Sequence, residues 1–262
     1  MGTGWVSGVQ VLRWIVLVLA VAQAAGPVVA NAVAPNFLET GATNEATITP
    51  AGYAFSIWGL ICALSLLCAA ALVRHGLGTA WERRVLIDLG AVFIGFNLWL
   101  GVAAQDWLWV TVMVFAAMFG LLIDTLRLLT SRAGEVSCPR WVRLLLTVTV
   151  GLYTGWSSVA VFVNVAAALI NQGWSPAGSW GTVWQMILLG LATATALTLT
   201  GLFHATPGYV AAVLWALIAA AISASGRDGT VLAAAAIIAT VLVVTAALAI
   251  HTHQTRAHQS AV

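Results

Sequence analysis

Long apolar stretches separated by short polar segments run through the whole chain. The hydrocarbon core of a bilayer is about 30 Å thick, so an α-helix needs roughly 20 apolar residues to cross it. Eight stretches come close to this length, over residues 11–33, 51–73, 85–104, 108–129, 144–170, 180–203, 209–223 and 230–250. The seventh is short because Pro207 and Gly208 interrupt the apolar run before it. The pattern therefore predicts about eight transmembrane helices.

The composition supports a membrane protein built from helices. Charged residues make up 7% of the 262 residues and hydrophobic residues 61%, whereas a soluble domain has about 25% charged residues. Backbone groups in lipid must pair internally, which leaves helices or a closed barrel, and apolar runs of this length indicate helices. We therefore predict an all-α fold, a polytopic membrane helix bundle in contact with membrane lipids and with no nucleic-acid partner.

The arginines are distributed unevenly between the two sides of the predicted bundle. With eight spans both termini lie on one side, and Arg227 alone falls on the opposite side. The terminal side holds the other arginines: Arg13, Arg74, Arg83, Arg84, Arg127, Arg132, Arg140, Arg143 and Arg256. Because cytoplasmic segments carry an excess of basic residues, both termini are predicted to be cytoplasmic. The alanine-rich composition without lysine suggests a bacterial source, and hence the bacterial cytoplasmic membrane.

Few side chains can carry chemistry inside the predicted membrane region. The absence of lysine excludes a retinal protein, which needs a lysine for its Schiff base. The histidines all fall in loops or in the tail, so no axial pair for a buried haem is expected. Cys62, Cys68 and Cys138 show no metal-binding or redox spacing. We therefore predict no catalytic residue, no metal site and no covalently bound cofactor.

Two acidic residues lie near the ends of predicted spans. Asp88 follows Arg84 by four residues, and Asp124 precedes Arg127 by three. Each acid can therefore meet its arginine on one face of a helix. We interpret these as ion pairs at the membrane boundary in preference to a proton relay.

The start of the second span carries a group of aromatic residues. Residues 50–62 read PAGYAFSIWGLIC, with rings at Tyr53, Phe55 and Trp58. Pro50 suits the first turn of a helix, because the amide that proline lacks would have no partner there. At about 100° per residue the rings fan out around the helix entrance. The group indicates either an aromatic belt at the membrane surface or the mouth of a ligand pocket.

The fifth span carries a stripe of aromatic and polar residues. Tyr153, Trp156, Ala160 and Asn164 follow one another at spacings of three, four and four, which places them on one helical face. The stripe continues to Asn171. It therefore offers rings and an amide to whatever packs against that face.

Two further features of the third and fifth spans point to close contacts. Gly151 and Gly155 form a GxxxG pair, which lets a neighbouring helix approach closely. The third span contains Asn97 and Trp99 within FNLWL. Asn97 and Asn164 each either form an interhelical hydrogen bond or contact a ligand, and the sequence does not choose between the two.

The second span resembles the TspO/MBR family, the tryptophan-rich sensory or translocator proteins. In that family the second helix opens with Pro, an aromatic residue, Phe and Trp, and the four residues Pro50, Tyr53, Phe55 and Trp58 match this order and spacing. The tyrosine that closes the family pattern is replaced by Cys62. The polar stretch NAVAPNFLETGAT over residues 31–43 also looks like the longer bacterial members.

The fifth and third spans extend the resemblance. The family's fifth helix carries Tyr-x-x-Trp, Ala, Asn and a second Asn seven residues on, which the stripe ending at Asn171 reproduces, with Val159 in place of a phenylalanine. In the family's third helix Trp follows Asn by three residues. Here Trp99 follows Asn97 by two, which rotates the ring by about 100° relative to the family position.

The resemblance covers residues 10–171 and implies a five-helix core followed by three extra helices. The domains expected from it are a TspO-like core over 1–171, a C-terminal extension over 172–251 and a disordered cytoplasmic tail over 252–262. Proteins of this family bind tetrapyrroles such as protoporphyrin, and in some cases sterols, inside the five-helix bundle. The resemblance thus implies a membrane receptor or carrier for a planar hydrophobic ligand, bound without a covalent link. The ligand-binding residues it implies are Tyr53, Phe55, Trp58, Asn97, Trp99, Tyr153, Trp156, Ala160 and Asn164.

Two other functions are compatible with the sequence. The small-residue helices over 179–251 suit helix–helix contacts, so the chain is alternatively a structural or accessory subunit, or a homodimer, that binds its partner there. The resemblance also suggests a third function, an enzyme that degrades porphyrin with light or oxygen and uses a tryptophan as its reactive centre. We rank ligand binding first, with a tetrapyrrole ahead of a sterol or another lipid, and expect no enzymatic activity.

Overall fold

The computed structural model of the protein describes residues 3–33 and 45–259, with side chains for 8–30, 32 and 45–256. The predicted all-α fold is confirmed: these residues contain no strand, and eight of their helices are long and apolar enough to cross a membrane. The helices are α1 (Thr3–Val33), α2 (Ile57–His75), α3 (Glu82–Ala103), α4 (Leu108–Ser131), α5 (Arg140–Asn171), α6 (Gly178–Leu202), α7 (Pro207–Gly226) and α8 (Thr230–Gln259). Short 3₁₀ helices cover Gly52–Ser56 and Ala133–Glu135.

Several helix ends differ from their predicted positions. The α-helix of the second span begins at Ile57 instead of near residue 51, so Tyr53 and Phe55 lie on the preceding 3₁₀ helix. The seventh span is a full helix, because Pro207 begins α7 in the first turn, where its missing amide leaves no bond unmade. The chain from 252 to Gln259, predicted to be a disordered tail, continues α8 as helix. Residues 34–44, with most of the loop used for the resemblance, and 260–262 lie outside the described residues.

The chain packs as two compact units, and the division between them falls inside α5. The described part of the first unit comprises residues 3–33 and 56–150, and that of the second comprises 45–55 and 151–259. The expected division at residue 171, between a family core and an extension, is a different one and stays a prediction.

In the first unit α1 packs against α2 and α3, and α3 packs against α4. A polar network fixes the start of α3 to α1: Arg13 Nε lies 2.7 Å from Glu82 Oε1, and Glu82 Oε2 accepts a hydrogen bond from the Gly78 amide at 3.1 Å. The Arg13 and Glu82 side chains are only 18% and 4% exposed. Gly76 has a φ of 62°, and a side chain there would overlap the Arg13 guanidinium. Arg13, counted above among the arginines of the terminal side, is therefore half of a partly buried ion pair.

The acidic residues of α3 and α4 pair differently from the prediction. Arg84 Nε lies 2.6 Å from Asp124 Oδ2 of the neighbouring helix, and Asp88 accepts a hydrogen bond from Thr125 Oγ1 at 3.4 Å. The predicted pairing of each acid with an arginine of its own helix is therefore wrong. The packing of α3 against α4 brings Arg84 to Asp124, and this contact between helices forms in place of the contacts predicted within each helix.

In the second unit α8 packs against α6 and α7, and α5 lies directly on α7. A Cβ added at Gly155 would meet the Tyr209 carbonyl oxygen and would lie 3.0 Å from the Ala212 Cβ. A Cβ at Gly151 would lie 2.9 Å from the Tyr209 amide nitrogen. The close helix approach predicted from the GxxxG pair is confirmed, and α7 is the helix that approaches.

Candidate functional site

The second unit brings two of the predicted ligand residues, from distant parts of the chain, into contact. The rings of Phe55 and Trp156 lie edge to face, with centroids 5.6 Å apart and planes at 82°. Such pairs contribute about 0.5–1.5 kcal/mol beyond the area they bury. Trp156 is buried and Phe55 is half-buried. The segment before α2 is therefore in ring contact with the aromatic stripe of α5.

The remaining residues of the α5 stripe lie in the same unit. Tyr153 and Ala160 are buried, and Asn164 is half-buried. Asn164 Nδ2 donates a hydrogen bond to the Ala160 carbonyl at 2.8 Å, one turn back in its own helix. This face of α5 combines rings, an amide and a small residue, which is the composition of sites for apolar ligands with a few polar groups.

Tyr53, predicted to lie at the same mouth, instead contacts α7. Its ring lies edge to face on Trp215, with centroids 5.5 Å apart and planes at 87°. Trp215 Nε1 also donates a hydrogen bond to the Ala54 carbonyl at 2.9 Å. Sequence reasoning missed Trp215, and the only signal available was a single tryptophan in an otherwise alanine-rich helix.

The first unit contains a cluster of four aromatic side chains, namely Trp58 and three that surround it. The centroid of the Trp58 ring lies 4.8 Å from the ring centroid of Phe96, 5.8 Å from that of Trp99 and 6.1 Å from that of Phe115. Trp99 in turn lies 5.3 Å from Phe115. The predicted residues Trp58 and Trp99 are thus in contact despite the altered spacing in α3. Phe96 and Phe115 complete the cluster and were not predicted.

Asn97 lies apart from these rings, against α1. Its Nδ2 donates to the Phe93 carbonyl at 3.0 Å, and its Oδ1 occupies the space that a side chain on Gly26 would need. The amide and Gln105 border a cavity of about 480 Å³ whose other walls are apolar residues of α1 and α3. Asn97 therefore faces a different part of the first unit from Trp99.

Cys62, which stands where the resemblance expects a tyrosine, contacts α1. Gln23 Nε2 lies 3.6 Å from Cys62 Sγ, and Gln23 is fully buried. A thiol and an amide thus occupy the place where the family pattern has a phenol.

The nine predicted residues fall into these separate groups. The second unit holds Tyr53, Phe55, Tyr153, Trp156, Ala160 and Asn164, and the first holds Trp58, Asn97 and Trp99. Phe55 meets Trp156, and Trp58 meets Trp99. That all nine contact one ligand stays a prediction.

Comparison with known proteins adds one match. A family model described as "TSPO-like protein" matches residues 10–249. No curated protein and no solved structure matches the chain. The family match extends well past residue 171, so it includes α6, α7 and most of α8. The match therefore extends beyond the five spans whose residues carry the resemblance.

Proposed function

Because the chain belongs to the family of TSPO-like proteins, we propose that it is a receptor or carrier for a planar hydrophobic ligand, most directly a tetrapyrrole such as protoporphyrin. Family membership indicates an integral membrane protein that binds a ligand, and such proteins are generally not enzymes. The ligand's chemical class is our inference from the resemblance to the TspO/MBR family, and the aromatic residues are compatible with it. A sterol or another lipid is the second choice.

The contact between Phe55 and Trp156 carries this proposal. Both residues match the family pattern, yet they come from separate stretches of the chain, and their rings lie 5.6 Å apart. A flat aromatic ligand binds by stacking on such rings, with a few polar groups to orient it. Tyr153 and Asn164 supply a hydroxyl and an amide on the same helix.

Changing Trp156 to alanine is expected to weaken protoporphyrin binding at least about tenfold, which is 1.4 kcal/mol. The change removes the ring that Phe55 contacts, which is the largest side chain of the stripe. Purified protein is titrated with protoporphyrin while tryptophan fluorescence is followed. Trp180→Ala is the matched control, since Trp180 is 60% exposed on α6. Equal dissociation constants for wild type and Trp156→Ala would rule the proposed site out.

The same preparation separates the other two functions. An accessory subunit predicts that the wild type binds neither protoporphyrin nor a sterol and purifies with a second membrane protein. A porphyrin-degrading enzyme predicts that protoporphyrin absorbance decays under illumination with the wild type, and more slowly with Trp156→Ala. A receptor predicts saturable binding with constant ligand absorbance.

We further propose that both termini face the cytoplasm, on the basis of the arginine distribution. Cys138 tests this, because it lies in the short connection between α4 and α5 on the arginine-rich side, whereas Cys62 and Cys68 are buried. A membrane-impermeant maleimide is expected to label Cys138 in inside-out vesicles and not in intact cells. Gln172→Cys, at the other end of α5 and made in a chain with Cys138→Ser, is expected to show the reverse pattern. Labelling of Cys138 in intact cells would invert the orientation.

The labelling of Cys138 is also expected to depend on pH. Burial raises the pKa of this thiol above its ordinary value, an effect that nearby Arg143 partly offsets. Since the thiolate is the reactive form, Cys138 should react more slowly at neutral pH than the exposed Gln172→Cys thiol. Its rate should go on rising at pH values where the rate of the exposed thiol has levelled off. Identical pH profiles for the two thiols would contradict this.

A further inference from the structure

The C-terminal helices hold the beginning of the segment that leads into α2. Arg227, which follows α7, forms an ion pair with Glu45 at 2.7 Å and donates a hydrogen bond to the Ala46 carbonyl at 2.8 Å. Gln185 of α6 accepts a hydrogen bond from the Ile48 amide at 3.2 Å. Backbone groups of residues 45–48 are therefore bound by side chains that follow them by more than a hundred residues.

Gln185 is oriented for this contact by its own surroundings. It is fully buried, and its Nε2 donates to the carbonyl oxygens of Pro176 and Gly181, both at 3.0 Å. With both donor bonds made, the amide oxygen is left to accept from Ile48. Beside it, Ala46 and Ile48 pack into an apolar cluster formed by residues of α5, α6, α7 and α8, namely Ala166, Trp184, Leu188, Ala224, Leu232 and Ala233.

Helix α7 holds the other end of the segment. The Ala51 amide donates to the Ala219 carbonyl at 3.1 Å, and Trp215 Nε1 donates to the Ala54 carbonyl at 2.9 Å. The ring of Trp215 also contacts Tyr53. Trp215 thus contacts the two residues directly before Phe55, one through its ring and one through its N–H.

We infer that α6, α7 and α8 form a seat for residues 45–55, and that Trp215 is the positioning residue that sets Phe55 against Trp156. The helical structure of the segment is limited to the 3₁₀ helix Gly52–Ser56, which ends one residue beyond it, and most of its anchoring contacts are made with the C-terminal helices. Without them it would behave as an ordinary mobile loop. Ordering a contact residue before binding lowers the entropic cost of binding, so the seat should raise ligand affinity. This last step depends on the proposed function.

The three C-terminal helices therefore have a role within this chain, which is to hold residues 45–55 in place. Their contacts with 45–55 combine the buried Gln185 with Trp215 and Arg227, whose side chains are partly exposed. The family match, over residues 10–249, includes α6, α7 and most of α8.

Trp215→Phe and Trp215→Ala test the inference by two measurements on the full chain. Phenylalanine keeps a ring against Tyr53 but loses the N–H, whereas alanine loses both contacts. Hydrogen exchange of peptides covering 45–55 is expected to accelerate several-fold in Trp215→Phe and more in Trp215→Ala, since exchange reports local opening. The protoporphyrin dissociation constant should rise roughly threefold to tenfold, in the same order. Trp180→Phe is the matched control for both measurements.

A double-mutant cycle separates positioning from general stability. If Trp215 acts through the segment, its effect on affinity should be smaller in a Tyr53→Ala background, so the two changes are not additive. Arg227→Gln, with exposed Arg256→Gln as its control, tests the seat from the other end if the Trp215 variants fold poorly. It should accelerate exchange of 45–48 with an unchanged melting temperature.

Each result decides a separate point. Unchanged exchange in the Trp215 and Arg227 variants would overturn the seat. Faster exchange with an unchanged protoporphyrin dissociation constant, or strictly additive effects in the cycle, would overturn the positioning role. Absence of protoporphyrin binding by the wild type would instead refute the proposed function, and the exchange measurement alone would then decide the seat.

Discussion

Changing Glu82 to glutamine is expected to lower the free energy of unfolding by about 3 kcal/mol, because it leaves a partly buried guanidinium without its counter-ion. Arg13 Nε lies 2.7 Å from Glu82 Oε1, and the two side chains are 18% and 4% exposed. Glutamine keeps the size of the side chain, and its amide oxygen can accept one of the two hydrogen bonds that Glu82 accepts. What is lost is the negative charge, and a buried charge without a partner is costly.

The loss is measured as the change in the free energy of unfolding of the detergent-solubilised protein. Asp106→Asn is the matched control, since Asp106 is exposed and has a φ of 56°, which asparagine tolerates. Its effect should stay within about 0.5 kcal/mol. Replacing both partners, in Arg13→Met/Glu82→Leu, should cost much less than the single change. If Glu82→Gln lowered the free energy of unfolding by less than about 1 kcal/mol, water would have to reach the Arg13–Glu82 pair.

Changing Gly155 to alanine is expected to destabilise the protein by about 1–3 kcal/mol, although alanine is the better helix former. The new Cβ would meet the Tyr209 carbonyl oxygen and lie 3.1 Å from the Tyr209 carbonyl carbon. These are backbone atoms of α7, so neither helix can relieve the overlap by a change of rotamer. The helices must move apart, which loses packing along their whole contact.

Gly190→Ala on α6 provides a control of opposite sign. A Cβ there would meet nothing within 4 Å, so only the gain in helix propensity remains, up to about 1 kcal/mol of stabilisation. Thermal unfolding of the two variants and the wild type, measured side by side, checks the pair. If both alanine variants shifted stability in the same direction, the close approach of α5 and α7 would be refuted.

The helices themselves could be predicted from the sequence because a bilayer fixes the length of an apolar span. The eight stretches found from hydrophobicity alone correspond to the eight helices that can cross a membrane among the described residues. The contact made by Gly151 and Gly155 could also be predicted, since a small-residue pair at this spacing has one main use. Which helix would meet it could not be predicted, because α7 presents Gly208 and Ala212 at the same spacing but other alanine-rich helices offer similar small-residue pairs.

The start of α2 shows why the rest could not be predicted. Nothing near Tyr53 in the sequence indicates that Ala219 and Trp215 will take up the backbone groups of Ala51 and Ala54. Those bonds favour a 3₁₀ turn, and the Tyr53 ring lies against Trp215 of α7. The predicted ion pairs are wrong for the same reason. The spacing of Asp124 and Arg127 permits a contact, but the packing of α3 against α4 brings Arg84 to Asp124.

The position of bound protoporphyrin in a structure of the complex tests the central claim most directly. The protein is purified and reconstituted with protoporphyrin, and the map is inspected for a flat density. We expect that density in contact with the rings of Phe55 and Trp156. A ligand bound instead in the cavity beside Asn97, or saturable binding with no density at those two rings, would contradict the proposed site.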